Sequence, residues 1–174
     1  MALDSSKVLV AVTGTIAAGP VGTTLPTDAE TAIDAAFVDL GFLDETGIRE
    51  NASETFTTFK AWQNSVTVRQ SKTEHIQTFD LVFLQTEDEV REIFYGEAPV
   101  TGTLSVKGAV SPERSWVFDI VDGANVFRIV VPRAQVTARS EVPYNATAPI
   151  AYGVTLTCYP ETGTGDLFRV IDGA

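Results

Sequence analysis

The chain holds one histidine, His75, and one cysteine, Cys158, and these two side chains bound the nucleophilic and metal chemistry it could perform. A single imidazole excludes a histidine-built metal site, and any serine or cysteine nucleophile would need His75 as its base. His75 stands among Lys72, Thr73, Glu74 and Gln77, which read as a solvated strand end with no nucleophile-elbow context. Cys158 can form neither an intrachain disulfide nor a zinc cluster, and Val154, Leu156 and Tyr159 around it mark a buried small hydrophobe. Gly14, Gly19 and Gly22 fit neither the dinucleotide-binding nor the Walker spacing.

Paired carboxylates could run a glycosidase on a β-sandwich, and Asp80 and Asp119 are the candidates because each interrupts an apolar strand. Alternation explains them without chemistry. Asp80 lies between Phe79 and Leu81, and Asp119 between Phe118 and Ile120, so each points to the sheet face opposite its apolar neighbours. That is a solvated or lumen-facing position. Glu87, Asp88 and Glu89 look like a cation site, but three acids in the first turn of a helix complement its dipole. Asn51-Ala52-Ser53 and Asn145-Ala146-Thr147 are formal glycosylation sequons with no secretion signal beside them. The reading is therefore of no catalytic, metal or cofactor-binding residues, and of a protein that is not an enzyme.

The 174 residues suffice for one domain, 1–174, with a sizeable core at 44% hydrophobic residues. Against 12 basic residues stand 23 acidic ones, a formal net charge of -11, which disfavours a nucleic-acid grip built on phosphate neutralisation. A surface that lets DNA pass without holding it should be neutral or acidic. Met1 to Lys7 lead into an apolar run at Val8 to Val12 that is too short for a signal core or a membrane span, so no signal peptide and no membrane binding are expected.

The elements that would position these residues are short and β-rich. Val8–Val12, Val66–Arg69, Ile76–Leu84, Leu104–Val110, Trp116–Val121, Val126–Val131, Tyr152–Tyr159 and Leu167–Ile171 alternate or are β-branched. They predict an all-β sandwich or barrel of short antiparallel strands. Asp122-Gly123-Ala124-Asn125 predicts a hairpin between two of them, and Pro160 to Gly165 a second between the last two. Thr86-Glu87-Asp88-Glu89 is a capping box that starts a helix over about 86–95, ended by Gly96. Thr27-Asp28-Ala29-Glu30 predicts a second helical turn at about 28–36. Gly14 to Pro26 reads as a long connecting loop, the kind that serves a partner.

Trp62, within Lys60-Ala61-Trp62-Gln63-Asn64-Ser65, sits among polar residues next to a turn. It is either a lid on the core or an anchor at a subunit interface. The core reading is preferred because most large aromatics go there. Trp116, at the start of a strongly alternating strand, is a core residue.

In order along the chain, an N-terminal strand is followed by GTIAAGPVGTTLPTDAETAIDAAFVDLGFLDETGI, KAWQNSVTVR, FLQTEDEVREIFYG and the closing YGVTLTCYPETGTGDLFRVIDG. Taken together these pieces resemble the major tail tube protein family of long, non-contractile phage tails, with Phe42 and Thr46 as mild departures from its pattern. Related tubes occur in contractile tails and type VI secretion. The resemblance implies a β-sandwich with a flanking helix, six copies per ring, and rings stacked into a tube whose bore carries genomic DNA without specific binding. It further implies assembly in the host cytoplasm on a tape-measure protein, terminator and distal tail proteins as partners, and a final place in the virion.

Under that reading the interface candidates are Gly19, Pro20, Val21 and Leu25 in the long loop, and Trp62, Gln63 and Asn64 in the polar hairpin. Thr67, Arg69, Asp80 and Asp119 are the bore-lining candidates, because alternation puts them opposite an apolar face. Open strand edges would be paired or covered by ring closure. The rival readings are another ring-forming tail protein, such as a terminator or connector, and a β-sandwich ligand-binding module.

Overall fold

The computed structural model describes residues 8–173; Met1 to Lys7, the lead-in to the apolar run, lie outside them. The described residues form β1 (Thr13–Pro20), β2 (Val38–Asp39), β3 (Arg49–Lys60), β4 (Thr67–Phe83), α1 (Asp88–Tyr95), β5 (Arg114–Asp122), β6 (Asn125–Arg139), β7 (Tyr152–Cys158) and β8 (Arg169–Asp172). The strands make one antiparallel sheet in the order β2-β1-β5-β6-β7-β4-β3, with β8 also on β6. The mainly-β, antiparallel class expected from the alternating runs is what forms, although β4 and β6, at 17 and 15 residues, are long.

The sheet curls on itself. Ile16, Trp116, Phe118, Ile129 and Val131 on one side meet Phe79, Leu81, Phe83, Tyr152, Val154 and Leu156 on the other in a single core. Trp116 is 1% exposed. Helix α1 closes the core by its apolar stripe Val90, Ile93 and Phe94, with the Phe94 ring against Tyr152 at 5.2 Å. The outer face of β1 and β5 is buried as well, because residues 20–37 fold back over it and pack Leu25, Ile33 and Phe37 on Ala17 and Val117.

Several local expectations change. The first strand is Thr13–Pro20, so most of the expected Gly14–Pro26 loop is sheet. Its glycines serve close approach. A Cβ on Gly14 would stand 2.6 Å from the Asp119 carbonyl oxygen, and one on Gly19 3.1 Å from the Phe37 ring. Val8–Val12, expected as the strand, instead run past the end of β5, tied on by the Val12 N–H to the Val121 carbonyl at 3.1 Å. Leu104–Val110 form no strand. The neighbouring β5 already takes β1 and β6 on its two edges, so this run finds no ladder there.

The Asp122–Asn125 hairpin forms, with Gly123 at φ 62 in its turn. The second expected hairpin does not: β8 pairs with residues 127–130 of β6, next to the segment of β6 that pairs with β7. Helix α1 ends on left-handed Gly96 as expected, its N–H donating to the Glu92 carbonyl at 2.7 Å. It starts at Asp88 with Glu87 as N-cap and no side-chain cap, one residue beyond the expected Thr86. No helical turn forms at 28–36. Asp28 accepts from the N–H groups of Glu30 (3.0 Å) and Thr31 (2.5 Å) as an N-cap would, but the chain then turns again at Asp34.

Candidate assembly surface

β4 pairs with β7 only over Thr78–Phe83. Beyond that point the ladder of β3 and β4 runs on alone, from Ala52 to Lys60 and from Thr67 to Gln77. This arm reaches about 30 Å beyond the sandwich at 3.3 Å per residue. Every residue of β3 is exposed, and β3 is the last strand of the sheet, so its outer edge is unpaired. At the tip, the Ala61 N–H donates to the Val66 carbonyl at 2.8 Å, while Asn64 and Ser65 take left-handed conformations at φ 57 and 53. Trp62 is 96% exposed there. The preferred core placement of Trp62 is therefore corrected: four polar or small neighbours in a tight turn carry it away from any apolar surface of its own chain.

Two register shifts shape the arm, between Thr55 and Phe56 and between Phe59 and Lys60 of β3. Thr73 and Val68 of β4 are the residues left without partners, so alternation reverses at each. The first shift places Lys72 beside Glu54, which also meets His75 Nδ1 at 3.0 Å. The hydrogen bond from Lys72, with the Lys72 charge and the His75 contact adding to it, holds the Glu54 carboxyl below its ordinary value. His75 is thus a mid-strand residue of the arm rather than a strand end. Thr73 donates to the Thr55 carbonyl at 3.1 Å and Gln70 to the Thr58 hydroxyl at 3.3 Å. These polar cross-strand pairs supplement the backbone ladder of the ribbon, and a two-stranded ribbon is marginal in water. Phe56, Phe59, Val66 and Val68 lie exposed along it.

The other interface candidates separate. Pro20 and Val21 are exposed at the end of β1 with Gln63 and Asn64 far off at the arm's tip, whereas Gly19 is buried and Leu25 packs in its own chain's smaller core. The bore-lining candidates separate too. Asp80 accepts from Asn51 Nδ2 (2.8 Å) and the Thr155 hydroxyl (2.6 Å) on the outer face of β3, β4 and β7. That face continues into Thr157 and Thr137, whose hydroxyls are 2.7 Å apart. Arg69, opposite Phe59, falls on the same side of the ribbon as Asp80 because of the Thr73 shift, and Thr67, opposite Lys60, on the other.

Asp119 lies on a different outer surface, beside Val117. It grips Arg128 with both oxygens at 2.6 and 2.9 Å, and Arg128, 5% exposed, donates on to the Asp28 and Thr31 carbonyls at 2.9 and 2.8 Å. The pair is a clamp on the covering loop. Sequence reasoning missed Arg128 because it stands among apolar residues of a strand; its register opposite Asp119, readable from the Asp122–Asn125 turn, was the signal that could have found it. Among the described residues no three His, Cys, Asp or Glu side chains gather as a metal site.

The curled antiparallel sheet thus carries an unsupported ribbon with an exposed tryptophan at its tip and an unpaired edge, features of the kind that mark protein contact surfaces. The chain belongs to the phage tail tube protein family, whose model matches residues 1–174. It is a structural component of the phage tail. No curated protein matches it in sequence. Among solved structures it is similar to a chain of the extracellular contractile injection system PVC sheath–tube complex in its extended state, at 10% identity over 99% of both chains with a TM-score of 0.50. It is also similar to a chain of the anti-feeding prophage tube-terminating cap, at 10% identity over 98% and 93% of the two chains with a TM-score of 0.48. A third is from the native gene transfer agent virion, at 13% identity over 82% and 92%, with a TM-score of 0.39. At these identities the likeness to the sheath–tube complex is one of fold.

Proposed function

We propose that this chain associates with copies of itself into closed rings, six per ring by the family resemblance, that stack into a tube through which genomic DNA leaves the virion. The observation that carries the reading is the β3–β4 arm: a ribbon exposed on both faces cannot be stable alone, so it is ordered by a neighbour. Ring closure covers the β3 edge. The tube performs no chemistry; it holds a bore open and lets the polyanion slide.

The hydroxyl-rich face around Asp80, Thr155, Thr157 and Thr137 is the bore wall in this reading, and Arg69 lies beyond it on the arm. Asp119, clamped to Arg128, stays outside it. A wall of paired hydroxyls and one engaged carboxylate offers DNA no cation to stop at, and the chain's net charge of -11 repels DNA over about 8–10 Å at physiological salt. Assembly in the host cytoplasm on a tape-measure protein, with terminator and distal tail proteins at the ends, completes the proposal.

Sedimentation velocity over a concentration series tests it. Growth from the 18.7 kDa monomer to rings and then to species of open-ended size supports the tube. Rings that never stack favour a terminator or connector, and a monomer at every concentration contradicts the reading.

A further inference from the structure

The arm's charge is opposite to that of the body. Residues 56–72 contain three of the chain's 12 basic residues, Lys60, Arg69 and Lys72, and none of its 23 acids. Lys72 is engaged by Glu54, while Lys60 and Arg69, beside the exposed Trp62, pair with no acid among the described residues. At the other end of the same hairpin lies an open groove of about 780 Å³ between the start of β1 and the 39–48 loop. Its apolar part includes Leu43, Ile48 and Phe42, the last 75% exposed. Asp39, Asp44, Glu45 and Glu87 also line it, and no lysine or arginine does. The loop is tied down by Gln85, whose side-chain oxygen accepts from the Phe42 N–H at 2.7 Å and fills the space beside Gly41, at φ 74.

We infer that the arm tip of one copy, Trp62 flanked by Lys60 and Arg69, seats in this acidic groove of a second copy. The inference rests on the tube reading and names its contact. The two surfaces are complementary in charge, and each presents apolar side chains that the other would cover. They cannot meet within one chain, because Ile48 at the groove and Lys60 at the tip bracket the 12 residues of β3, an extended span of about 40 Å. A knob and a socket at opposite ends of one hairpin make a heterologous, head-to-tail contact, which propagates along the hairpin axis from copy to copy. Such a contact links successive layers of a tube.

Mixed assembly tests it. A Trp62→Cys chain and a Phe42→Cys chain, each otherwise intact with Cys158 buried, are polymerised together and oxidised. A 62–42 heterodimer should dominate; a 62–62 homodimer, or no cross-link from assembled tubes, overturns the contact. In parallel, Lys60→Glu with Arg69→Glu should lower the pelletable fraction at least tenfold while the melting curve is unchanged, and adding Glu45→Lys with Glu87→Lys to that chain should restore it. A reversed-charge chain that still forms tubes, or loses only DNA retention, overturns the groove and leaves the tube standing. A wild-type chain that never assembles overturns both.

Discussion

Phe79 of β4 and Phe118 of β5 meet edge to face, ring centroids 5.2 Å apart at 70°, although β6 and β7 separate their strands in the sheet. That contact is what a curled sheet produces and a flat one forbids. It closes the core between the two halves, with Phe168 completing the stack on Phe79 at 5.5 Å.

Replacing Phe118 by alanine should therefore cost about 3–5 kcal/mol, the usual loss for a buried aromatic whose cavity cannot collapse. Urea unfolding of the monomer measures it. A loss below about 1 kcal/mol would mean that the two halves of the sheet do not share a core.

The Asp119–Arg128 clamp predicts that removing one partner costs more than removing both. Asp119→Ala leaves a buried guanidinium unpaired and should destabilise by about 3–5 kcal/mol, whereas Asp119→Leu with Arg128→Met should regain most of that. Equal losses in the single and double variants would show that the cost lies in losing the clamp itself and not in stranding the guanidinium.

The class of fold was legible because Trp116–Val121, Val126–Val131 and Tyr152–Tyr159 are short alternating or β-branched apolar runs, each with one face in the main core. β3 was not. Arg49–Lys60 has both faces in water and thus no apolar period, so the strand carries no signal of burial in its sequence. The same reason hid Trp62's place: composition says where aromatics usually go, and only the ribbon's reach shows that no core lies near. Parity arguments failed along β4, since the unpaired Thr73 and Val68 reverse alternation without any mark in the sequence. The glycines of β1 signalled a loop because close approach and turning use the same residue.

Cys158 should be inert in the folded protein. Burial, with the nearby Glu50 charge adding to it, pushes its thiol up to about 12, so at pH 8 almost no thiolate is available. Iodoacetamide should label it only after denaturation, and rapid labelling of the native chain would contradict its placement at the edge of the core.

Acid should loosen the molecule. Asp28, Glu54 and Glu113 are held below their ordinary values, chiefly by hydrogen bonds from Thr31, Lys72 and Arg133 respectively. A carboxylate lowered in the folded state stabilises above its unfolded value and ceases to do so as pH falls through the folded one. The melting temperature should therefore hold near neutrality and fall below about pH 4. A melting temperature that is flat or rising from pH 5 to pH 3 would contradict these pairings.

The most direct measurement is cryo-electron microscopy of the protein concentrated without partners. The account predicts hollow tubes in which the β3–β4 arm of each copy lies buried against another. Monomers, or assemblies in which that arm projects free into solvent, would contradict it.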